Sequence, residues 1–411
     1  MSRDSVPGGR LHHASGVALP DGDGLGHIPG PMASVSRAGA NSNRAPAVLI
    51  GPSAEQAPDP LAPNRRASIV VPTHNDGPNI GALLDRLLSE PEVGEILVVA
   101  SGCDDETVPT VLEASEASGG RVRLYVEAER SGKAAAVNFG LGQATLPFSV
   151  VVSGDVMPTR GAVGYLVAAL ELPGVGLAGG RPVPVNDEGT PIGHAVHLMW
   201  RLHHRLALHQ PKLGEVIALR SEAIVPLPPT SVDEACFQAM LESTGWRSSY
   251  EPRAVVVNQG PATARDFLKQ RRQIHAGHLW LRHRQHYTVP SLRPRLLLGE
   301  MWRDLNADLG RMRPSRLAWT AGAVGMEAGA RALARLDYLR GRENHVWDMV
   351  KSTKAPGLDA DRVRPGRVQL VESAGMAPPP SGERDDQHQL SLQLQVPDVQ
   401  RLRAQGEGAR G

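Results

Sequence analysis

The strongest constraint on the fold is the regular alternation of two kinds of segment between residues 67 and 155. Four short runs rich in Val, Ile and Leu have the composition of buried strands: SIVVP (68–72), EILVVA (95–100), RVRLYVE (121–127) and FSVVVSGD (148–155). The segments between them, such as NIGALLDRLLSE (79–90), carry apolar residues at helical spacing. Strands that alternate with helices predict right-handed crossovers and a mostly parallel central sheet with helices on both faces. We therefore predict an α/β fold built as a single large domain.

The distribution of aromatic residues separates the part of the chain that can form a core from the parts that cannot. All 6 Trp, 5 Tyr and 4 Phe lie between Tyr125 and Trp347. Residues 1–66 and 355–411 contain none of them and are rich in Pro, Gly, Ala, Ser and charge. Such segments bury too little apolar surface to offset the entropy lost on ordering. We predict that both are disordered tails and that the folded protein spans about residues 67–354.

Charge, cysteine content and hydropathy exclude several classes of protein. A formal net charge of +1 gives no general attraction to nucleic acid, so no nucleic-acid partner is expected. Cys103 and Cys236 are far apart without CxxC spacing, which argues against a disulfide framework and for a cytoplasmic protein. No uncharged apolar segment reaches the 18 residues of a membrane span, and the N-terminus lacks the apolar core of a signal peptide. Residues 317–336 are interrupted by charges and predict an amphipathic helix.

Polar side chains follow three of the predicted strands. They are Asn75 and Asp76, Asp104 and Asp105, and Asp155. Parallel strands end at the same edge of a sheet, and ligands of α/β proteins bind at that edge. Asp and Asn also cap helix N-termini, so capping is an equally good interpretation of Asp76 and Asp105. Asp155 lies too far from the next helix for a simple cap, and a lone carboxylate at a strand end suits Mg²⁺ or Mn²⁺.

Two other groups of residues match phosphate or metal motifs only in part. Gly132-Lys133 resembles the end of a P-loop, but Glu127 stands at the place of the first glycine and Ala134 replaces the Ser or Thr. No GxGxxG follows the first predicted strand, so neither a Walker ATPase nor a dinucleotide-binding domain is expected. The histidines of residues 194–209 have no HExxH or Cys/His spacing, and we interpret them as polar helix residues.

Taken in order, seven segments resemble family 2 glycosyltransferases, which have the GT-A fold. Four fall in the nucleotide-sugar half of that family: VVPTHND (70–76), VVASGCDDET (98–107), RSGKAAAVN (130–138) and VVVSGDVMP (150–158). Three fall in the acceptor half: GGRPVPV (179–185), VDEA (232–235) and QRRQIHAGH (270–278). The resemblance covers residues 67–290, divided into a nucleotide-sugar half (67–180) and an acceptor half (181–290). Residues 291–354 would then form a helical C-terminal appendage.

The resemblance implies a site for a nucleotide-diphosphate sugar. The residues it assigns to the donor are Pro72, Thr73, Asn75, Asp104, Asp105, Lys133, Asn138, Gln270, Arg271 and Arg272. The DxD motif, which holds the divalent cation in this family, reads Ser153-Gly154-Asp155 here, so Asp155 is the metal ligand that remains. The alternative for Lys133 is a solvated residue at the start of a helix. In the QxxRW motif the Arg is displaced and the Trp is lost, which favours transfer of single sugars over polymer synthesis.

Inverting transfer needs a base that takes the proton of the acceptor hydroxyl. The resemblance places Asp233 and Glu234 in this role, and either could serve. We favour Asp233, because a shorter side chain at a helix start is easier to hold in position. N-terminal capping and interaction with the helix dipole are the alternative for both residues.

We therefore predict an inverting, metal-assisted glycosyltransferase that uses a nucleotide sugar, most simply a UDP-sugar. Its acceptor is a small molecule or a lipid-linked compound. The basic segment 265–295, in which Trp280 and two leucines interleave with the charges, suits peripheral contact with the inner face of the cell membrane. One alternative is a pseudoenzyme of the same fold that binds nucleotide sugars or acts as a scaffold, since Ser153 replaces an acid. A nucleotidyltransferase would need a glycine-rich basic loop after the first strand, which THNDGPNI (73–80) lacks.

Overall fold

One mixed sheet organises the chain. The computed structural model describes residues 48–50, 65–308, 314–342, 351–354 and 357–362. The strands of these residues are β1 (Val48–Ile50), β2 (Ala67–Thr73), β3 (Val93–Ser101), β4 (Val122–Glu127), β5 (Phe148–Val152), β6 (Val156–Pro158), β7 (Val175–Pro184), β8 (Val216–Arg220) and β9 (Arg247–Asn258). They lie in the order β1-β4-β3-β2-β5-β8-β7-β9-β6. Strands β2 to β5 are parallel, as predicted, whereas β8 is inserted antiparallel between β5 and β7.

Helices cover both faces of this sheet. They are α1 (Gly77–Leu88), α2 (Thr107–Ala117), α3 (Lys133–Gln143), α4 (Ala162–Glu171), α5 (Pro191–His209), α6 (Asp233–Ser243), α7 (Ala264–Gln285), α8 (Pro294–Asp308) and α9 (Pro314–Leu339). Thr190 caps α5 by accepting a hydrogen bond from the Gly193 N–H, and Pro191 suits the first helical position. Thr263 caps α7 through the N–H of Asp266.

Alternate residues of the central strands pack on opposite sides of the sheet. All of β2 is buried: Ile69 and Val71 belong to the core formed with α1, α2 and α4, whereas Val70 belongs to the core with α3 and α6. This two-sided burial explains why the strands are almost continuously apolar in sequence. The predicted α/β fold with helices on both faces is confirmed.

Helices α8 and α9 lie in the predicted C-terminal appendage, residues 291–354. They pack against the acceptor half. Arg271 of α7 makes two hydrogen bonds to the carboxylate of Glu327 in α9, with distances of 2.9 and 3.0 Å. Arg272 pairs with Asp337, which lies further along α9 toward its C-terminal end. Among the described stretches no helix is both long and apolar enough to span a bilayer.

Two short pieces of the predicted tails are structured. Strand β1 pairs antiparallel with β4 at the edge of the sheet. Residues 357–362 run along α1, where Leu358 and Ala360 are buried in the main core and Asp361 pairs with Arg86 at 2.8 Å. Apart from Arg65 and Arg66, the rest of both predicted tails lies outside the described residues.

Candidate active site

A cavity of about 600 Å³ opens where the predicted site residues meet. One end is formed by the carboxyl ends of β2 and β5, where Thr73 and Asp155 line it. Asp233 and Glu234, at the first turn of α6, line its wall together with Lys133 of α3. The other end lies between α5, α8 and α9 and is mostly apolar. The cavity therefore joins the strand ends predicted for the donor to the helices of the acceptor half.

The loop after β2 and the loop after β5 are in close contact at this rim. Asp76, buried behind the first loop, accepts hydrogen bonds from Thr73 Oγ1 at 2.7 Å and from the His74 N–H at 3.2 Å. Gly154 lies against the same carboxylate, because a Cβ at this position would come within 2.5 Å of Asp76 Oδ2 and 2.7 Å of Thr73 Oγ1. A glycine is thus needed for the two loops to approach, and its neighbour Asp155 is brought beside Asp76.

The ammonium group of Lys354 lies at this carboxylate pair. Its Nζ donates a hydrogen bond to Asp76 Oδ1, lies 3.2 Å from the His74 carbonyl oxygen and lies 3.6 Å from Asp155 Oδ2. Burial opposes the charged form of Lys354, but Asp155 and Asp76 raise its pKa above the usual value. Burial raises the pKa of Asp76, and Asp155 adds to this effect while Lys354 opposes it.

The same pair has the donor set for a hard divalent cation. Asp76 and Asp155 already converge on one positive charge, and Mg²⁺ or Mn²⁺ commonly takes one or two carboxylates and completes its shell with phosphate oxygens and water. Within the described parts of the chain, no group of three or more His, Cys, Asp or Glu side chains could hold a metal. Asp76 and Asp155 are therefore the residues that could hold a cation at the strand ends.

Lys133 joins the two acids at the start of α6. Its Nζ lies 3.0 Å from Asp233 Oδ2 and 2.9 Å from Glu234 Oε1. Burial and the adjacent Glu234 raise the pKa of Asp233 to about 6, against the opposing charge of Lys133. Glu234 is also buried, but the contact with Lys133 lowers its pKa. The two acids thus differ in basicity, and Asp233 is the better proton acceptor.

Glu215 is a site residue that the sequence analysis missed. Val216, the first residue of β8, pairs with Val152, the last residue of β5, so Glu215 and Ser153, the first position of the DxD motif, both lie at this end of the two strands. Burial, with Asp155 and Glu234 nearby, raises its pKa to about 7, and Asn258 Nδ2 donates to Oε1 at 3.0 Å. Its backbone has a φ of 64°. Glu215 lies near Asp155 because β8 is inserted antiparallel next to β5. Local sequence patterns do not predict such an insertion.

Three of the predicted donor residues stabilise the rim and do not line the cavity. Asn75 and Asp104 hydrogen-bond each other, with the Asp104 N–H donating to Asn75 Oδ1 at 3.0 Å. Asp105 accepts from the N–H groups of Gly77 at 3.0 Å and Thr107 at 2.9 Å, at the starts of α1 and α2. Burial opposes ionisation of Asp105, but the hydrogen bonds from Thr107 and Gly77 lower its pKa. The capping alternative therefore describes Asp105.

Two further residues predicted for the donor have other partners in the structure and do not line the cavity. Asn138 donates to the Leu227 carbonyl and accepts from the Leu227 N–H, both at 2.8 Å, so both ends of its amide bind backbone. Arg272 points to α9, where Asp337 binds it. Pro72, Thr73, Lys133, Gln270 and Arg271 do line the cavity. Of these, Arg271 forms an ion pair with Glu327, so its charge is already paired.

Comparison with known proteins agrees with this geometry. Residues 68–225 match the model of glycosyl transferase family 2. They form a glycosyl transferase family 2 domain. Uncharacterized glycosyltransferase YaiP of Escherichia coli is 30% identical over 115 residues, which is 28% of this chain and 28% of the length of YaiP.

Solved structures of glycosyltransferases are similar to parts of this chain. The mannosyltransferase PcManGT from Pyrobaculum calidifontis, in complex with GDP-Man and Mn²⁺, has a TM-score of 0.50 and 22% identity, and the match covers 71% of this chain and 92% of PcManGT. Glucosyl-3-phosphoglycerate synthase from Mycobacterium tuberculosis, in complex with Mn²⁺, UDP and glucosyl-3-phosphoglycerate, has a TM-score of 0.40 and 17% identity, covering 57% and 88%. The likeness to PcManGT shows a shared fold, and the predicted family and fold are confirmed.

Proposed function

We propose that the protein transfers a single sugar from a nucleotide-diphosphate sugar to an acceptor hydroxyl, with inversion at the anomeric carbon. The proposal rests on one observation: a single cavity is lined by two separate pairs of acidic side chains. Asp155 lies beside Asp76 at the strand ends, and Asp233 with Glu234 lies at the start of α6. The first group suits a diphosphate with its cation, and the second suits a base. A mannosyltransferase of this fold is known with GDP-Man and Mn²⁺, which supports this class of donor.

In this proposal Asp76 and Asp155 hold Mg²⁺ or Mn²⁺. When bound, such a cation would offset the charge that develops on the departing diphosphate. Thr73 and the His74 N–H hold the Asp76 carboxylate in place, so that it does not need to reorganise when the donor arrives. Pro72 and Thr73 are the residues at the strand end that would contact the nucleoside, which we propose is uridine.

Asp233 is the proposed base. Its pKa of about 6 leaves it ionised and moderately basic near neutral pH, whereas the lowered pKa of Glu234 makes that residue a poorer acceptor. Lys133 fixes both carboxylates and lies at the helix start that faces the cavity. Asp233 would take the acceptor proton as the hydroxyl oxygen forms its bond to the anomeric carbon and the bond to the diphosphate breaks.

The acceptor end of the cavity is mostly apolar, although His203, Arg271 and Glu327 also line it. Its wall includes Leu198, Leu202 and Leu206 of α5, Leu297, Leu298 and Met301 of α8, and Val324 of α9. We propose an acceptor with an apolar part next to its hydroxyl group, as in a lipid-linked compound or an apolar small molecule. Trp302, which follows Met301 in α8, is 64% exposed. With the basic helix α7, this arrangement supports a cytoplasmic enzyme that contacts the inner face of the cell membrane.

Nucleotide titration tests the proposal. UDP and GDP are titrated into wild-type protein and Asp155→Ala, each with and without Mn²⁺, and UDP-sugars are then screened for hydrolysis and transfer. We expect Mn²⁺ to tighten UDP binding at least about tenfold and Asp155→Ala to remove this gain, because one of two carboxylate ligands is lost. Tight binding with no turnover of any sugar would favour the pseudoenzyme. A nucleotide affinity that changes neither with Mn²⁺ nor with the substitution would contradict a cation site at Asp155.

A further inference from the structure

Lys354 lies at the two carboxylates that would bind the cation. Its Nζ is within hydrogen-bonding distance of Asp76 and the His74 carbonyl and 3.6 Å from Asp155. A divalent metal binds carboxylate oxygens at roughly 2.0–2.2 Å, and an ammonium nitrogen binds them at about 2.8 Å. A metal bound to Asp76 and Asp155 and the observed ammonium would thus be close neighbours of like charge, which repel strongly in a buried site.

Lys354 is held at this place by its neighbours in the chain. We name residues 351–354 and 357–362 the C-terminal strap. On one side of Lys354, Ser352 Oγ donates to Asp266 Oδ2 at 2.7 Å. On the other side, the Gly357 N–H donates to Asn79 Oδ1 at 3.1 Å, and Leu358 is buried with 7% exposure. The ammonium group is therefore positioned by anchors on both sides and is not the end of a freely moving surface side chain.

We infer that Lys354 is an internal counter-ion that competes with the divalent cation for Asp76 and Asp155. This inference rests on the proposed function only in that it assumes a cation at this pair. Without metal, the ammonium offsets the repulsion between two adjacent carboxylates. With metal, Lys354 must leave its present contacts, and the strap must shift where it crosses the cavity.

The charges of Asp76, Asp155 and Lys354 indicate when a divalent cation replaces the ammonium group. Two carboxylates and one ammonium carry a net charge of about −1, which repels a diphosphate. Replacing the ammonium by a divalent cation brings the pair to about neutral and adds a metal that can bind phosphate oxygens directly. Metal and nucleotide together therefore displace Lys354 more readily than metal alone, and the strap responds to occupation of the donor site.

A Mn²⁺ titration without any turnover tests this inference. Free Mn²⁺ is followed by its electron paramagnetic resonance signal in wild-type protein, Lys354→Met, Lys354→Arg and Leu358→Asp. We expect Lys354→Met to tighten Mn²⁺ binding by about tenfold, the size expected when one charged hydrogen bond that competes with the metal is removed. Lys354→Arg keeps the positive charge and should stay close to wild type. Leu358→Asp leaves every group at the carboxylates unchanged but releases the buried anchor, and it should also tighten Mn²⁺ binding.

Each outcome decides the question. Unchanged or weaker Mn²⁺ binding in Lys354→Met overturns the inference, as does a lack of measurable Mn²⁺ binding in both wild type and this variant. Tightening in Leu358→Asp alone would show that the strap matters but that the ammonium does not, which also overturns it. Tighter Mn²⁺ binding in Lys354→Met, in a protein that transfers no sugar, would support the counter-ion role while rejecting the proposed transferase.

Discussion

At the scale of single residues, the contacts of Lys133 matter most for the chemistry. The resemblance assigned this residue to the donor, whereas in the structure its ammonium group binds the two acids that lead α6. A positive charge at this place lowers the pKa of Asp233, which burial and Glu234 would otherwise raise further. Lys133 therefore sets the pH range in which Asp233 can accept a proton.

This arrangement predicts a specific pH dependence of the rate. A base works only when deprotonated, so kcat/KM should fall about tenfold per pH unit below the Asp233 pKa of about 6. In Lys133→Met the lowering influence is lost, so the midpoint of this acidic fall should move to higher pH by about one unit. Both are measured from pH-rate profiles with the sugar donor identified in the screen.

Asp233→Asn and Arg253→Met provide the matched comparisons. Asp233→Asn cannot accept a proton and should lose nearly all transfer at every pH. Arg253→Met also removes one positive charge, but the exposed Arg253 pairs with the buried Glu251 outside the cavity, and the midpoint of this variant should equal that of wild type. A lowered rate with an unmoved midpoint in Lys133→Met would show that Asp233 is not the titrating base, and Glu215 would become the candidate.

At the scale of elements, α7 and α9 are held together by two ion pairs. The Asp337 side chain is 2% exposed, and Arg272 is its bidentate partner. Arg342 lies more distantly, at 4.0 Å from the same carboxylate. Arg272 therefore stabilises the packing of α9 rather than the nucleotide, in spite of its place in the family motif.

Removal of one partner should expose this structural role. Arg272→Met leaves Asp337 without its main partner, and the free energy of unfolding should fall by about 1–2 kcal/mol, because Arg272 is 36% exposed and solvent screens the pair. Adding Asp337→Leu removes the uncompensated charge and should restore much of the loss. Urea unfolding measures both effects. UDP affinity per folded molecule should stay at the wild-type value, and a large loss of affinity in a folded variant would return Arg272 to the donor site.

How far the sequence predicts this molecule depends on whether a feature is local. Strands β2 to β5 and their helices follow from short periodic patterns, so the parallel half and the rim were predictable. Asp105 and Asn138 bind backbone groups in the structure, and the sequence does not reveal this because capping and backbone binding use the same side chains as ligand binding. Glu215 lies at the site because β8 is inserted next to β5. Lys354 lies there because a segment without aromatic residues packs against the domain. Neither route leaves a periodic signal.

At the scale of the whole molecule, buried neutral histidines link stability to pH. Burial lowers the pKa of His203 and of His278 well below the usual value, with the charge of Lys212 adding to the effect. In the unfolded chain both bind a proton below about pH 6.5, and in the folded chain they do not. Their contribution to stability is therefore present above pH 6.5 and is lost as the pH falls. Asp233 and Glu215, whose pKa values are raised, act in the opposite direction.

Single substitutions isolate the histidine contribution. Between pH 6 and 5, His203→Gln should reduce the slope of the unfolding free energy against pH by about 1.4 kcal/mol per pH unit, because one fewer proton is taken up on unfolding. His278→Gln should have a similar effect, and the two together about twice as much. The measurement is urea unfolding at several pH values. A slope equal to that of wild type would mean that His203 is protonated in the folded protein.

The burial of Leu358 and Ala360 has a consequence for where the folded unit ends. The family match stops at residue 225, yet the last described residues of the chain lie in the same core as β2 and α1. A fragment cut at the limits of the match would lose Asp233 and would leave apolar surface of α1 uncovered. Fragment boundaries for this protein are therefore better taken from its packing than from its resemblance to other chains.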